Sequence, residues 1–203
     1  DMLSEELPFR QNYIAYKSMF PKTGDLIWEC QGLVGRNGNL VYTSPVVAGE
    51  IVICLGGYTG PGVAVKLGGT GDVTETHRMW HATDKNPQRI SSGVVVGEHL
   101  FLANAGPGTF QCLEVSTGKE VWKARGPGAN HWGQMVFANG HLYVTNQKGA
   151  TVVFEPGAEE FQQVAMNQLD AGSNSTPAFS DGEIFLRTAK SLYCIAAEKA
   201  WLP

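Results

Sequence analysis

Arg89, His131 and Trp132 are the side chains of this sequence best suited to meet a ligand. A guanidinium can hold an anion through paired N–H donors. An indole can stack on a ring or a sugar face. An imidazole can coordinate a metal or exchange hydrogen bonds. With Tyr42, Ser44 and Asn174 they fall in four polar and aromatic segments, 39–44, 86–92, 129–133 and 172–176, each just upstream of an apolar run. The competing reading of the Ser, Thr and Asn residues in these segments is turn capping. Cysteines stand at 30, 54, 112 and 194, with no Cys-x-x-Cys and no Cys–His pair at ligand spacing, which disfavours zinc. Each lies in an apolar, strand-like run and reads as a small buried hydrophobe, with a disulfide as the alternative. His77 and His81 would share a helix face, but 74–81 aligns as an outer strand, where they stand about 13 Å apart, too far to grip one metal. The glycine-rich stretches 56–62 and 68–72 lack the Gly-Lys-Ser/Thr and the following helix of a phosphate cradle, so they read as a long connection.

The elements that position these residues follow from composition and repetition. Of 203 residues 43% are hydrophobic and 17% charged, which excludes a disordered chain. Gly 25 and Pro 10 without a triplet period indicate many tight turns, hence β structure. A net charge of −4, with no run of basic residues, disfavours a nucleic-acid or anionic-membrane partner. No apolar stretch reaches the roughly 18 residues of a membrane span. The acidic start, Asp1 to Leu7, is not a signal peptide and reads as the start of a processed or partial chain.

Four times a short apolar run enters a glycine turn and leaves as a second apolar run: 45–53, 93–101, 134–143 and 177–185. The turn glycines, at 49, 97, 140 and 182, recur at intervals of 48, 43 and 42 residues. Glycine supplies the positive φ of a two-residue hairpin turn, and the flanking residues are β formers. A second element alternates with the hairpins: a glycine turn, three residues, then a large aromatic, ending at Trp28, Trp122 and Phe161, with Trp80 in the same slot. Each repeat thus reads as four antiparallel strands, which fits one blade of a β-propeller. A lone blade cannot cover both its faces, so blades stack, and Trp28, Trp80, Trp122 and Phe161 are expected to dock one blade on the next. The expected blades are about 12–30, 42–82, 90–124, 131–166 and 174–197, between an extension at 1–11 and a tail at 198–203.

The Thr-Gly-Lys-Glu-Val-Trp at 117–122, with its glycine-turn hairpins, resembles the pyrroloquinoline-quinone (PQQ) type repeat of quinoprotein alcohol dehydrogenases and of non-enzymatic, BamB-like relatives. The stretch from Tyr42-Thr43-Ser44-Pro45 to Thr74 looks like the non-enzymatic PQQ-like proteins of planctomycete-type bacteria. The resemblance spans roughly 15–197. It implies an all-β, tryptophan-docked propeller of seven or eight blades, of which about four are present, and an extracytoplasmic, periplasmic setting. The chain then reads as about half of a larger propeller, or as a small ring closed by the strand near Trp28. A pairing of two copies into one propeller is a further possibility.

In the enzymes of this family a quinone sits in the channel on Ca²⁺ held by oxygen ligands, and an Asp acts as base. Here there are no adjacent cysteines and no Cys-x-x-Cys-His, and no Glu, Asn and Asp set assigns itself to those positions. The resemblance therefore implies first a non-catalytic binding or scaffold module for a protein or glycan, with no catalytic residue, metal ligand or cofactor. The alternative is a fragment of a PQQ- and Ca²⁺-dependent alcohol or sugar dehydrogenase. The four polar segments face the channel mouth in such propellers. That placement makes Tyr42, Ser44, Arg89, His131, Trp132 and Asn174 the ligand candidates.

Overall fold

The computed structural model describes residues 15–35, 40–83, 86–87, 89–106 and 108–196. The expected extension and tail, the start of the first blade at 12–14, and Asn39 and Gln88 of two polar segments lie outside the described residues. Five sheets follow one another along the chain. The first holds β1 (Ala15–Met19) and β2 (Leu26–Gln31). The second holds β3 (Val46–Ala48), β4 (Ile51–Leu55), β5 (Gly62–Lys66) and, after an excursion through β6 (Gly71–Asp72) and the one-turn helix α1 (Thr74–His77), β7 (Arg78–Ala82). The third is β8 (Val94–Val96), β9 (His99–Ala103), β10 (Thr109–Glu114) and β11 (Glu120–Arg125). The fourth is β12 (Val136–Ala138), β13 (His141–Thr145), β14 (Ala150–Phe154) and β15 (Gln163–Gln168). The fifth has three strands, β16 (Ala178–Ser180), β17 (Glu183–Arg187) and β18 (Leu192–Ala196). These are propeller blades, as the repeat implies.

The hairpin glycines act through two turn types. Gly49 and Gly97 have positive φ at the first of two turn residues, the type II′ pattern. Asn139-Gly140 and Asp181-Gly182 have positive φ at both, the type I′ pattern. Either twist brings the two strands back in antiparallel register.

The core lies between the sheets. Trp28, Cys30 and Leu33 pack on Val52, Cys54, Val63 and Val65 of the second sheet. Ile53, Leu55 and Ala64 pack on Leu100, Leu102 and Leu113 of the third. Phe101, Phe110 and Cys112 pack on Leu142, Val152 and Phe154 of the fourth. Central strands such as β4 and β9 are buried on both faces and read as unbroken apolar runs. On the fifth sheet, by contrast, Leu192, Cys194 and Ile195 are exposed. Cys194 is thus not the buried hydrophobe its local sequence suggests, because none of the described sheets covers that face. All four cysteines are free thiols, and burial pushes Cys54 up to about 12 and Cys112 up to about 11.

The outer strands dock one sheet on the next. The indole N–H of Trp80 donates to the carbonyl of Val115, and that of Trp122 to the carbonyl of Gly157, each at 2.9 Å and 35 residues ahead. Gly118, in the turn that receives Trp80, lies so near the ring that a Cβ there would come within 2.6 Å of it. A register shift recurs beside each docking position. It places Trp28 opposite Ser18, Trp80 opposite Ala64 and Trp122 opposite Cys112. In the fourth sheet the same rung, opposite Val153, holds Ala165. Phe161 is therefore not in the tryptophan slot. The connection from β14 to β15 is two residues longer, spanning Phe154 to Gln163 against Leu113 to Glu120, and Phe161 falls within it. Its ring turns back to Phe110, Phe154 and Trp122, with centroids 5.0, 5.1 and 6.1 Å away.

The glycine-rich connection after β5 is a strap. β6 adds in parallel to the outer edge of β2, pairing Gly71 with Trp28 and Asp72 with Glu29. The Thr74 hydroxyl then accepts the Gln31 N–H at 2.9 Å. The stretch expected as an outer strand from Thr74 to His81 is helical up to His77. Only Arg78–Ala82 is strand, because the strap must turn before rejoining its own sheet.

Trp122→Ala removes both the ring and its hydrogen bond and is expected to cost about 3 kcal/mol, read as a lower urea midpoint. Val164→Ala, on an exposed face, is expected to stay within about 0.5 kcal/mol.

Candidate functional site

The four polar segments gather at one end of the sheets, together with the β4–β5, β9–β10, β13–β14 and β17–β18 turns. A hydrogen-bonded belt ties them across the sheets. The Ser44 N–H donates to Ser92 Oγ at 2.7 Å, the Ser92 N–H to Gln134 Oε1 at 2.7 Å, and the Gln134 N–H to Thr176 Oγ1 at 2.9 Å. Gln134 Nε2 returns a bond to Ser92 Oγ at 3.3 Å. Each of these residues lies two positions before the first strand of its sheet, so each sheet passes a backbone donor to a side-chain acceptor on the next. The backbones come close here: a Cβ on Gly133 would lie 2.3 Å from the Ser175 carbonyl oxygen. Within sheets, the N–H groups of Gly57, Gln147 and Ala189 donate to the carbonyls of Leu40, Asn130 and Gly172.

The ligand candidates divide among different positions. Arg89 is 2% exposed and sealed at the joint of the second and third sheets, not open at a mouth. Its Nη2 reaches Gln111 Oε1 at 3.4 Å, and Gln111 Nε2 in turn donates to Glu120 Oε2 at 2.6 Å. Its Nε and Nη1 have no hydrogen-bond partner. Burial lowers its pKa to about 10, with Glu120 opposing, so it stays charged at neutral pH. His131 is fully buried between the third and fourth sheets, 4.9 Å from the Phe110 ring, and both its nitrogens lack a partner. Burial pushes it down to about 4. The Asn104 backbone lies near enough to oppose that shift, but no hydrogen bond of ordinary geometry forms. Trp132 is half-buried, with its indole N–H enclosed and unpaired. Ser44 serves the belt through its backbone.

Tyr42, Ser44 and Asn174 are the exposed members. Tyr42 meets Tyr58 edge-on at 5.6 Å and packs over Gly57, where a Cβ would strike its ring at 2.6 Å. Asn174 lines a cleft of about 400 Å³ with Gln147, Ser173, Ser175 and Arg187. The hydroxyls of Ser173 and Ser175 both donate to the Arg187 carbonyl at 2.7 Å. The structure therefore does not assemble the six candidates into one pocket.

Charge divides between the two ends. At the loop end stand Arg89, Arg125, Lys148, Arg187 and Lys190, and the carboxylate there, Asp170, accepts the Tyr193 hydroxyl. The opposite end, with the hairpin turns and the connections into the fourth strands, holds Glu50, Glu98, Glu114, Glu155, Asp181 and Glu183. A quinone–calcium centre needs several hard oxygen ligands around one position. Among the described loop-end residues the carboxylate is that of Asp170, which accepts the Tyr193 hydroxyl. Among the described residues no three His, Cys, Asp or Glu side chains gather as a metal site.

Ser92→Ala removes the acceptor for the Ser44 N–H and is expected to cost about 1–2 kcal/mol in a urea titration. His131 is neutral when folded and ordinary when unfolded, so its contribution is full above about pH 6.5 and is lost as pH falls toward about 4. His131→Phe should remove that part of the acid sensitivity, up to about 3 kcal/mol, seen as a flatter stability profile between those pH values.

A family model described as the outer membrane protein assembly factor BamB matches residues 9–124. No curated protein matches the chain. Among solved structures, BamB from Moraxella catarrhalis is similar with a TM-score of 0.66 at 11% identity, over 87% of this chain and 50% of that one. A quinohemoprotein alcohol dehydrogenase, ADHIIG of Pseudomonas putida HK5, is similar with a TM-score of 0.60 at 11% identity, over 87% of this chain and 32% of that one. The chain thus spans half the length of the first of these and about a third of the second. The blades, the docked indoles and the family match agree: the chain belongs to the BamB-like family of PQQ-type repeat propellers.

Proposed function

We propose that this chain is a non-catalytic binding module that presents its loop end to a protein partner in an extracytoplasmic, periplasmic setting. The belt carries this reading. The Ser44 N–H and the side chains of Ser92, Gln134 and Thr176 hold the sheets in register, and Arg89 and His131 are sealed at the joints. The exposed rim presents Tyr42 against Tyr58, the Ser44 side chain and the Asn174–Arg187 cleft. A pre-ordered rim loses little conformational entropy on binding, and an aromatic pair and a separate polar cleft holding Arg187 suit a polypeptide surface. The similarity to an assembly factor favours the same role, and no described helix is long and apolar enough to cross a membrane.

The dehydrogenase reading predicts a different outcome in one experiment. Native mass spectrometry with PQQ and Ca²⁺ is expected to give no adduct. A species heavier by one quinone and one Ca²⁺ would overturn the binding-module reading. A photo-crosslinking side chain placed at Tyr42 or at Asn174 in cells is expected to give discrete protein adducts, and the same group at Val164 none. Equal labelling from all three positions would also count against the proposal.

A further inference from the structure

The cleft of about 400 Å³ at the loop end lies between the fourth and fifth sheets. Gln147, from the β13–β14 turn, forms one side, and Gly172 to Ser175 with Arg187 to Ala189 form the other. The sides meet closely, since a Cβ on Gly172 would lie 2.5 Å from the Gln147 carbonyl oxygen. Much of the polar lining is already committed. The Ser173 and Ser175 hydroxyls donate to the Arg187 carbonyl at 2.7 Å. The Thr188 hydroxyl donates to the Ser191 carbonyl at 3.2 Å and accepts the Ser191 N–H at 3.1 Å.

Three lining residues keep their side-chain donors free. Among the described residues, the Arg187 guanidinium and the amides of Gln147 and Asn174 have no hydrogen-bond or ion-pair partner, and all three residues are exposed. Lys148 follows Gln147 in the chain and Lys190 follows Ala189, both exposed. Asp170, two residues before Gly172, is the opposing charge, and its carboxylate accepts the Tyr193 hydroxyl. A free guanidinium with two primary amides in the same cleft offers the N–H donors that a carboxylate accepts. Three cations on a chain of net charge −4 are too few to hold a nucleic-acid strand.

We propose that this cleft receives an acidic stretch of a partner protein, with one Asp or Glu carboxylate taken by Arg187, Asn174 and Gln147 and its acidic neighbours laid toward Lys148 and Lys190. The inference rests on the binding-module reading and names the chemistry of the partner at one of its exposed features. Arg187 supplies the charge-assisted bond, and the amides fix the direction of approach. The carboxylates at the opposite end of the sheets repel the same segment, so it is received at one end only.

The test titrates a fluorescent peptide, Gly-Glu-Asp-Glu-Gly with blocked ends, against the full chain by anisotropy. Saturable binding is expected, weakening as salt rises. Replacing the acidic residues of the peptide with Gln and Asn should abolish it. Arg187→Gln should weaken binding about tenfold with the urea midpoint unchanged, and Arg187→Lys, which keeps the charge and loses the fork, should recover part of it. Arg125→Gln removes the same charge from the loop end outside the cleft and should leave the affinity within about twofold. Equal losses from Arg187→Gln and Arg125→Gln, or full affinity for the Gln and Asn peptide, would overturn the proposal. Equal binding of a neutral peptide with a free C-terminal carboxylate, or of an oligonucleotide of matching charge, would also overturn it. If the proposal fails while the crosslinks from Tyr42 and Asn174 persist, the acidic partner is discarded and the binding-module reading stands. Loss of the crosslinks as well discards both.

Discussion

A small antiparallel sheet that is apolar on both faces has to be covered twice, and a chain of such sheets can do this only by leaning each on the next. The indole of the fourth strand does the leaning here. Trp80 and Trp122 each bury a ring at the joint and send the N–H to a carbonyl in the following sheet's turn. That one bond fixes distance, orientation and register together. Glycine at the receiving turn, as at Gly118, follows from the need to let the ring approach the backbone. At the other end of the joint the belt from Ser44 to Thr176 sets the same spacing with backbone donors. The joints on either side of the third sheet are thus pinned on the outside by a ring and near the loops by a hydrogen bond.

The hairpins and the docking tryptophans were legible in the sequence because both are local. A glycine turn between two β-rich runs, and an indole at a fixed distance from a turn, depend on residues close in the chain. Phe161 misled for the same reason. Its spacing from Gly157 matches the pattern, but register depends on the length of the connection, and two extra residues move Ala165 into the slot. The strap was also hidden, since the partner of Gly71 and Asp72 lies far back in the chain at Trp28 and Glu29.

The candidate site was less legible than the fold. Arg89 and His131 sit in loop-like sequence, yet the joints close over them, and burial on that scale is a property of the stacked sheets rather than of either segment. The belt had a signal in the polar residue two positions before the first strand of each sheet. Ser92, Gln134 and Thr176 differ in type, but each offers an oxygen at the same place, and that common feature is what the structure uses. The separation of basic loops from acidic turns is likewise invisible along the chain, where the charges alternate, and emerges only once antiparallel strands sort successive connections to opposite ends. A module with two ends of unlike charge can orient two different neighbours.

Ala165 at the fourth joint leaves the last sheet without a latch. There Tyr143 meets Phe179 edge-on at 4.8 Å, and among the described residues no fourth-strand indole docks across the joint. In a linear array, cooperativity is only as strong as the coupling between neighbours, so the molecule has a built-in weak seam. Three strands beyond that seam can open as a unit while the four sheets before it stay closed. Amide protons of β16 to β18 would then exchange through a local opening, well below the free energy that protects β4 or β9.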